Sequence, residues 1–360
     1  MTTDVAVIGD GVIGLSTAFE LARAGLRCRI LGASRPGAAS AAAAGLLAPT
    51  IGQLSKTVRA LFNASLDLYP EFLVALQEFD PELALITGLI EVVDAEPQAP
   101  RSEASHRLSP SELSRIEPSL LAPLGAFLHP RDAAIDNVRL VRALRLAVAR
   151  EKHVTTSAES LVTGVRATKT GVSVFTASGP RIEAGFAVVA AGVWTPSING
   201  LPRQLPISPL KGQMLALVGA PINRPVMGDD VYLVPRGEET IVGATTERAG
   251  FDVTTTKEAT EALHAAAARL CPVLGKAAVL RSWAGLRPAT PDLLPIVGPE
   301  PDMPRLLYAS GHSKNGILLA PVTALVLTAL AQDKHPPFDL APFSILRFAK
   351  RSTKIRNLTR

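Results

Sequence analysis

The sequence lacks the features that would place it in several large classes of protein. Its two cysteines, Cys28 and Cys271, are too few for a disulfide framework and stand in no metal-ligand spacing, so we expect no metal site and a reducing compartment. The longest apolar run, residues 317–331, contains Pro321 and is shorter than the roughly 20 residues of a membrane span. It therefore predicts a buried helix rather than a transmembrane segment.

Positive charge is in excess only at the C-terminal end. The net charge is +5, but residues 341–360 contain no acid, and the rest of the chain has 31 basic and 32 acidic groups. Nucleic-acid binding by this body has no electrostatic support. The tail could touch an anionic surface, but we expect it to be solvated and partly disordered. Its basic residues are Arg347, Lys350, Arg351, Lys354, Arg356 and Arg360.

Three glycines bracket the turn after the first predicted strand. The strand-like run 4–8 leads directly into Gly9, Gly11 and Gly14, and residues 12–24 then place apolar side chains on one helical face. In a dinucleotide site the turn needs glycine, the pyrophosphate contacts bare backbone, and the first N–H groups of the helix face the anion. The pattern predicts a bound dinucleotide, and an ordinary glycine turn is the alternative. Because the strand begins so early, we expect no signal peptide and a cytoplasmic location.

Predicted helices and strands alternate along the rest of the chain. Residues 83–86 and 89–93 flank Thr87 and Gly88, a pattern that predicts a hairpin. Residues 37–48 are rich in Ala, Ser and Gly and would let backbone approach a flat ligand. The other predicted strands are 26–31, 161–167, 172–176, 187–191, 211–219, 231–235, 240–246, one near 279, and 306–309. The predicted helices are 55–79, 110–117, one capped by Asp136, 257–270, and one after Gly316.

These patterns predict an α/β fold with two interleaved domains. A Rossmann-like parallel sheet would bind the dinucleotide, and a mainly antiparallel sheet would form the substrate domain. Since no repeat or long linker separates them, we expect a discontinuous dinucleotide domain. The predicted boundaries are 1–80, 135–200 and 285–345 for the dinucleotide domain, 81–134 and 201–284 for the substrate domain, and 346–360 for the basic tail.

Six longer motifs occur in order along the chain. They are AAGLLAP at 43–49, LKGQ at 210–213, YLVPR at 232–236, VGAT at 242–245, WAGLRP at 283–288, and GHSKNGILLAP at 311–321. Together they resemble the flavin-dependent D-amino-acid oxidase superfamily, and within it the glycine oxidase branch associated with thiamine biosynthesis. The similarity runs from about residue 4 to about residue 340.

The resemblance implies noncovalent FAD, since neither cysteine matches the flavin attachment site of sarcosine oxidase relatives. It implies the pyrophosphate over residues 9–14, the adenine near Val162, and the isoalloxazine ring between residues 43–47 and 311–318. Reduction puts negative charge on the ring, and the helix after Gly316 would offer N–H donors to it. The expected cofactor-binding residues are Gly9, Gly11, Val12, Ile13, Gly14, Ser34, Arg35, Ser40, Ala43, Ala44, Gly45, Leu46, Val162, Ala191, Gly192, Trp194, Gly285, Arg287, Gly311, His312, Lys314, Asn315, Gly316, Ile317 and Leu318.

The resemblance also implies the chemistry. Arg287 matches the family arginine that grips the substrate carboxylate, for which a planar guanidinium is well suited. Tyr232 matches a tyrosine whose hydroxyl reaches the same carboxylate. Hydride would pass from Cα to flavin N5, the imine would hydrolyse, and O2 would reoxidise the flavin to give hydrogen peroxide. We expect amine ionisation to lie close enough to neutral pH that loss of the ammonium proton needs no dedicated side-chain base.

Three positions near the expected substrate cavity depart from the glycine oxidase pattern. Asp230 replaces a histidine, Lys314 replaces an arginine, and Thr246 replaces a methionine. Asp230 could attract the substrate amine or could simply end a loop, and Lys314 offers a point charge without the arginine fork. Glycine, sarcosine, D-alanine and D-proline therefore all remain candidate substrates. We expect His312 to have a structural hydrogen bond rather than to carry protons.

A further departure concerns the cofactor. The second strand ends in Gly32, followed by Ser34 and Arg35, where many relatives have an acid that binds the adenosine ribose. Without the resemblance, Gly32 and Arg35 would favour NADP. An NADP-dependent reductase, a flavin dehydrogenase with another electron acceptor, and a catalytically inert flavin-binding protein are the alternatives. A homo-oligomer is left open.

Overall fold

The computed structural model describes residues 3–52, 54–93 and 104–351, which contain seventeen strands and seven α-helices. In chain order the strands are β1 (Thr3–Ile8), β2 (Cys28–Leu31), β3 (Leu46–Leu47), β4 (Leu85–Val92), β5 (His106–Leu108), β6 (Ala126–Ile135), β7 (Val154–Ser157), β8 (Val162–Ala167), β9 (Val172–Thr176), β10 (Ile182–Val189), β11 (Ser208–Val218), β12 (Val226–Met227), β13 (Tyr232–Arg236), β14 (Glu239–Gly243), β15 (Val279–Ala289), β16 (Ile296–Glu300) and β17 (Met303–Ser310). The helices are α1 (Val12–Arg23), α2 (Ala39–Ala42), α3 (Lys56–Leu76), α4 (Pro110–Ile116), α5 (Asn137–Arg150), α6 (Lys257–Leu270) and α7 (Gly316–Ala331).

The first sheet is built around parallel strands. Its order is β16-β17-β10-β1-β2-β7, in which β1, β2, β7, β10 and β17 run parallel and β16 is antiparallel. Strand β9 pairs antiparallel with β10, and β8 pairs antiparallel with β9. Its central strands are buried on both faces, as β1 and β10 show by their apolar sequences. These strands come from the start, middle and end of the described chain.

The second sheet is mainly antiparallel, in the order β15-β11-β14-β13-β12-β4-β6-β3, with β5 paired to β6. Its one parallel pair among the described residues is β12 with β4. The two sheets together confirm the predicted α/β class. The domain boundaries stay a prediction, and β15 crosses the boundary predicted at residue 285.

Helix α7 packs against α1 and α3 and is apolar around its whole circumference. Pro321 lies inside it and has no N–H to donate to the carbonyl of Ile317, four residues earlier. The buried hydroxyl of Tyr69 on α3 donates to that carbonyl instead, at 2.5 Å. Ser65 Oγ donates to the carbonyl of Leu318 at 2.6 Å. Helix α3 therefore satisfies the backbone at the start of α7 and fixes its position.

Two local predictions were wrong or incomplete. The hairpin at Thr87 and Gly88 does not form, because β4 runs continuously along β6 and absorbs Gly88 as a bulge at φ +85°. Six strands had no counterpart in the sequence interpretation: β3, β5, β6, β7, β12 and β16. In β6, buried polar residues such as Asp132 hide the apolar alternation by which a strand is recognised.

The first residues of the predicted solvated tail are folded. A 3-10 helix covers Ile345–Arg351, and Arg347 is largely buried, with Nε donating to Asp292 at 2.9 Å and Nη2 donating to the Leu294 carbonyl at 2.7 Å. Arg347 therefore belongs to the folded body. Lys354, Arg356 and Arg360 lie outside the described residues.

Within the described ranges, none of the helices has the length and apolarity required to cross a bilayer. The same ranges contain no cluster of three or more His, Cys, Asp or Glu residues that could hold a metal ion.

Candidate active site

One cavity of about 1250 Å³ extends from the ends of β1 and β2 to the face of the second sheet. It is lined by every residue that the sequence associates with the cofactor except Gly14 and Leu318, which lie behind its wall. It is also lined by the four residues predicted to act on the substrate: Arg287, Tyr232, Lys314 and Asp230. Thus the fold brings together segments from the whole length of the described chain.

The glycine turn fits a pyrophosphate. Gly9 has φ +116°, and a Cβ there would lie 2.3 Å from the Ala190 carbonyl oxygen. A Cβ on Gly14 would lie 1.9 Å from the carbonyl oxygen of Gly9, so α1 can pack on the turn only with glycine. The N-terminus of α1 has no acidic residue in its first turn and opens on the cavity. It offers the positive end of the helix dipole to an anion.

The small-residue loop that contains α2 forms the wall beside the expected isoalloxazine ring. Asn137 Nδ2 donates to the carbonyl of Ser40 at 2.7 Å, and Arg236 Nη2 donates to the carbonyl of Ala44 at 2.9 Å. Arg236 also donates to Asn137 Oδ1 at 2.7 Å. Trp283 Nε1 donates to the carbonyl of Ala42 in the same loop at 3.0 Å. These three side chains fix the backbone of the loop, a role that the sequence interpretation missed for Asn137 and Arg236.

The substrate wall is a row of residues across the second sheet. Strand pairing aligns Glu91, Met227, Tyr232, Gly243 and Met214, and all five line the cavity. Paired residues share one face of a sheet. A Cβ on Gly243 would lie 2.5 Å from the Tyr232 hydroxyl, so glycine in the VGAT motif makes room for the tyrosine ring.

Gly212 makes room for the Arg287 side chain, as Gly243 does for the Tyr232 ring. A Cβ on Gly212 would be 2.4 Å from Nη2 of the guanidinium. Arg287 Nη1 donates to the carbonyl of Thr245 at 3.1 Å, and the side chain remains partly exposed in the cavity. Burial raises the pKa of Tyr232, and the nearby Arg287 offsets part of that rise. The tyrosine is therefore protonated at neutral pH and able to donate a hydrogen bond.

A polar network around the buried Lys211 lies next to Arg287. Lys211 is 2% exposed, with Nζ 2.6 Å from Asp252 and 3.7 Å from Glu247. Gln213 donates to Glu247 at 2.9 Å and accepts from the Thr256 N–H at 2.8 Å. The hydrogen bond from Lys211 is the main reason that the pKa of Asp252 falls to about 2. Every charge in this network is paired, which holds the loop after β14 in place beside the guanidinium.

Three predicted residues are placed less centrally. His312 is buried, its Nε2 lies 3.1 Å from Thr323 Oγ1, and burial lowers its pKa to about 3. It is therefore neutral and held by a structural hydrogen bond. Lys314 is exposed at the mouth of the cavity. Asp230 is exposed, with its carboxylate 3.3 Å from Arg269, so its role toward a substrate amine stays a prediction.

Comparison with known proteins places this site in a family. The model of the DAO family, described as FAD dependent oxidoreductase, matches residues 4–330. The glycine oxidase of Pseudomonas aeruginosa is 34% identical over 96% of this chain and 99% of its own length. The bifunctional protein ThiO/ThiG of Trichormus variabilis is 34% identical over 98% of this chain, which spans 56% of that relative's length. The crystal structure of glycine oxidase from Geobacillus kaustophilus superposes with a TM-score of 0.88 at 31% identity, covering 96% of this chain and 98% of the other.

These comparisons confirm the resemblance drawn from the six motifs, the fold class, the identity of the cofactor as FAD and the oxidoreductase class. The noncovalent mode of binding stays a prediction, although both cysteines are buried and neither lines the cavity. With the glycine turn, the backbone wall and the cationic substrate face in one cavity, the chain belongs to the DAO family of FAD-dependent oxidoreductases.

Proposed function

We propose that the chain catalyses oxidative deamination of a small amino acid or amine. The observation that carries this proposal is the position of Arg287, whose guanidinium lines the same cavity as the glycine turn and the N-terminus of α7. A planar guanidinium next to a protonated tyrosine is suited to a carboxylate, since it can make parallel charge-assisted hydrogen bonds. The glycine oxidase relatives support a small amino-acid substrate.

Bound FAD supplies a two-electron acceptor, for which we propose O2 as the final oxidant with hydrogen peroxide as the product. The residues of the chain supply orientation and charge. Arg287 would hold the carboxylate, and Tyr232 would donate a second hydrogen bond to it. The start of α7 directs the N–H groups of its first turn toward the cavity, where they would stabilise negative charge.

Proton transfer needs no side chain of its own. His312 faces the cavity but is neutral, and its Nε2 is shared with Thr323, so it is a poor proton carrier. Only the neutral amine can be oxidised, and we propose that the ammonium proton leaves to solvent before or during binding rather than to a side chain of the protein. The rate should therefore depend chiefly on how Arg287 and Tyr232 position the substrate.

The substrate preference within this class is set at the mouth of the cavity. Lys314 and Thr246 both line it, and Lys314 has an exposed ammonium that could contact a second polar group on a substrate. We propose glycine, sarcosine, D-alanine and D-proline as the first substrates to test. A role in thiamine biosynthesis stays a prediction drawn from the resemblance.

The test is anaerobic mixing of the flavin-loaded protein with each of these four amines. Bleaching of the flavin absorbance by at least one amine is the expected result, and peroxide should then form in air. Bleaching without peroxide would favour a dehydrogenase that uses another acceptor. If a wider panel of small amines also leaves the flavin oxidised, the proposed deamination is wrong.

A further inference from the structure

The end of β2 lacks the side chain that dinucleotide sites usually use to bind ribose. In such folds an Asp or Glu about 20 residues after the glycine motif accepts hydrogen bonds from the ribose hydroxyls. The corresponding position here is Gly32, which directly follows Leu31, the last residue of β2. Gly32 is buried and offers no polar atom beyond its backbone.

Asp10, between the first two glycines of the turn, occupies the space of the missing side chain. A Cβ on Gly32 would lie 2.7 Å from Asp10 Cγ, 2.9 Å from Oδ2 and 3.0 Å from Cβ. Real Cβ atoms do not approach other atoms so closely, so a side chain at position 32 and the present conformation of Asp10 exclude each other. The carboxylate of Asp10 thus lies next to the site from which an acid at position 32 would project.

The surroundings of Asp10 leave its carboxylate available to a ligand. Asp10 lines the cavity, and its side chain is 35% exposed. Among the described residues Asp10 forms an ion pair with Arg145 on α5, whose Nη2 approaches Oδ2 only to 3.5 Å and whose side chain is 60% exposed, so the pair is weak. An ionised carboxylate has about four acceptor positions, so most of its capacity remains unused by Arg145.

We propose that Asp10 replaces the acid at the end of β2 and accepts hydrogen bonds from the adenosine ribose hydroxyls of FAD. The acidic group has moved from the second strand to the glycine turn, and Gly32 provides the room for it. The same negative charge would repel a 2′-phosphate, which works against NADP despite the arginines at this end of the cavity. Arg35, the residue that favoured NADP in the sequence, has its guanidinium 5.2 Å from the ring centre of Trp194.

The first experiment pairs a protein variant with a ligand variant. Apoprotein is titrated, by quenching of flavin fluorescence, with FAD and with an analogue whose adenosine ribose lacks both hydroxyls. Wild type should bind the analogue about tenfold more weakly or worse, as expected for loss of hydrogen bonds to a charged group. Asp10→Ala should bind FAD more weakly by a similar factor and should no longer distinguish the two ligands. Equal affinity of wild type for both ligands would overturn the proposal without any variant being made.

The second experiment moves the acid back. Gly32→Glu alone should weaken FAD binding because the new side chain collides with Asp10, whereas Asp10→Gly combined with Gly32→Glu should again prefer FAD over the analogue.

Two control variants accompany this experiment. Arg145→Ala should keep the preference for FAD over the analogue, since Asp10 does not act through the ion pair. Asp4→Ala is the matched control, because Asp4 lies on β1, pairs with Arg27 and does not line the cavity. The proposal would be contradicted if Arg145→Ala lost the preference for FAD over the analogue to the same extent as Asp10→Ala. It would also be contradicted if the variant with both Asp10→Gly and Gly32→Glu did not regain that preference.

Discussion

The two walls of the cavity recognise their ligands by different means. The cofactor wall consists of backbone and small side chains: the turn at Gly9, the start of α1 and the loop around α2. The substrate wall consists of large side chains, Arg287 and Tyr232, each placed over a glycine of a neighbouring strand. Backbone recognition depends on conformation, which a few local glycines can specify. Side-chain recognition depends on strand register, which only the assembled sheet can specify.

This comparison predicts that a small change in the cofactor wall has the largest effect. Gly14→Ala places a methyl group 1.9 Å from the Gly9 carbonyl oxygen, where neither the helix nor the turn can yield. We expect a loss of roughly 3 kcal/mol or more of stability and purified protein with little flavin. The melting temperature measures the loss of stability, and the ratio of flavin absorbance to protein absorbance measures the flavin content. Gly275→Ala, where a Cβ would lie 3.2 Å from Ala268 Cβ, is the control, and equal flavin content in both variants would contradict the backbone model.

In the substrate wall the largest expected effect is that of Arg287→Met. Loss of two charge-assisted hydrogen bonds should lower kcat/KM by about 100-fold to 1000-fold, mostly through KM, while flavin stays bound. Anaerobic flavin reduction at increasing amine concentration provides the measurement. Arg281→Met is the matched control on the same strand, since Arg281 is exposed and paired with Glu239 at 2.7 Å. An unchanged KM in Arg287→Met would remove the residue from the substrate site.

A smaller effect is expected where the two walls meet at α7. Tyr69→Phe leaves the Ile317 carbonyl without its donor beside Pro321, which should cost about 1–3 kcal/mol of unfolding free energy. Denaturant titration tests this. Tyr308→Phe is the comparison, because the Glu300 carboxylate that accepts from Tyr308 also accepts from Arg203 at 2.9 Å and stays paired. A larger loss in Tyr308→Phe would be inconsistent with this account of α7.

The smallest expected effect depends on pH. Burial raises the pKa of Asp132 from 3.8 to about 6, although Thr50 Oγ1 donates to it at 2.9 Å. Between these two values the unfolded chain is ionised and the folded chain is protonated, so this group lowers stability as pH rises from about 4 to 6. Asp132→Asn should therefore raise the melting temperature by roughly 2–4 °C at pH 8 and change it little at pH 4. An equal change at both pH values would show that the ionisation of Asp132 is not the cause.

The sequence predicted the cofactor wall better than the substrate wall. The glycine turn, α1 and the buried α7 follow from local patterns, since turn geometry and helical periodicity are properties of short segments. The roles of Asn137 and Arg236 could not be found in this way, because they bind a loop more than 90 residues away in sequence. The false hairpin at Gly88 has the same origin, as a glycine between two apolar runs suits a bulge as well as a turn.

By itself the sequence determined the dinucleotide turn, the family motifs and the presence of an arginine suited to a carboxylate. Tertiary structure alone decided that Asp10 lies in the space left by Gly32, that Gly212 and Gly243 make room for Arg287 and Tyr232, and that Tyr69 completes α7. The reason is physical. Conformation is encoded over a few residues, whereas the contact of two side chains depends on the packing of strands and helices that are distant in the chain.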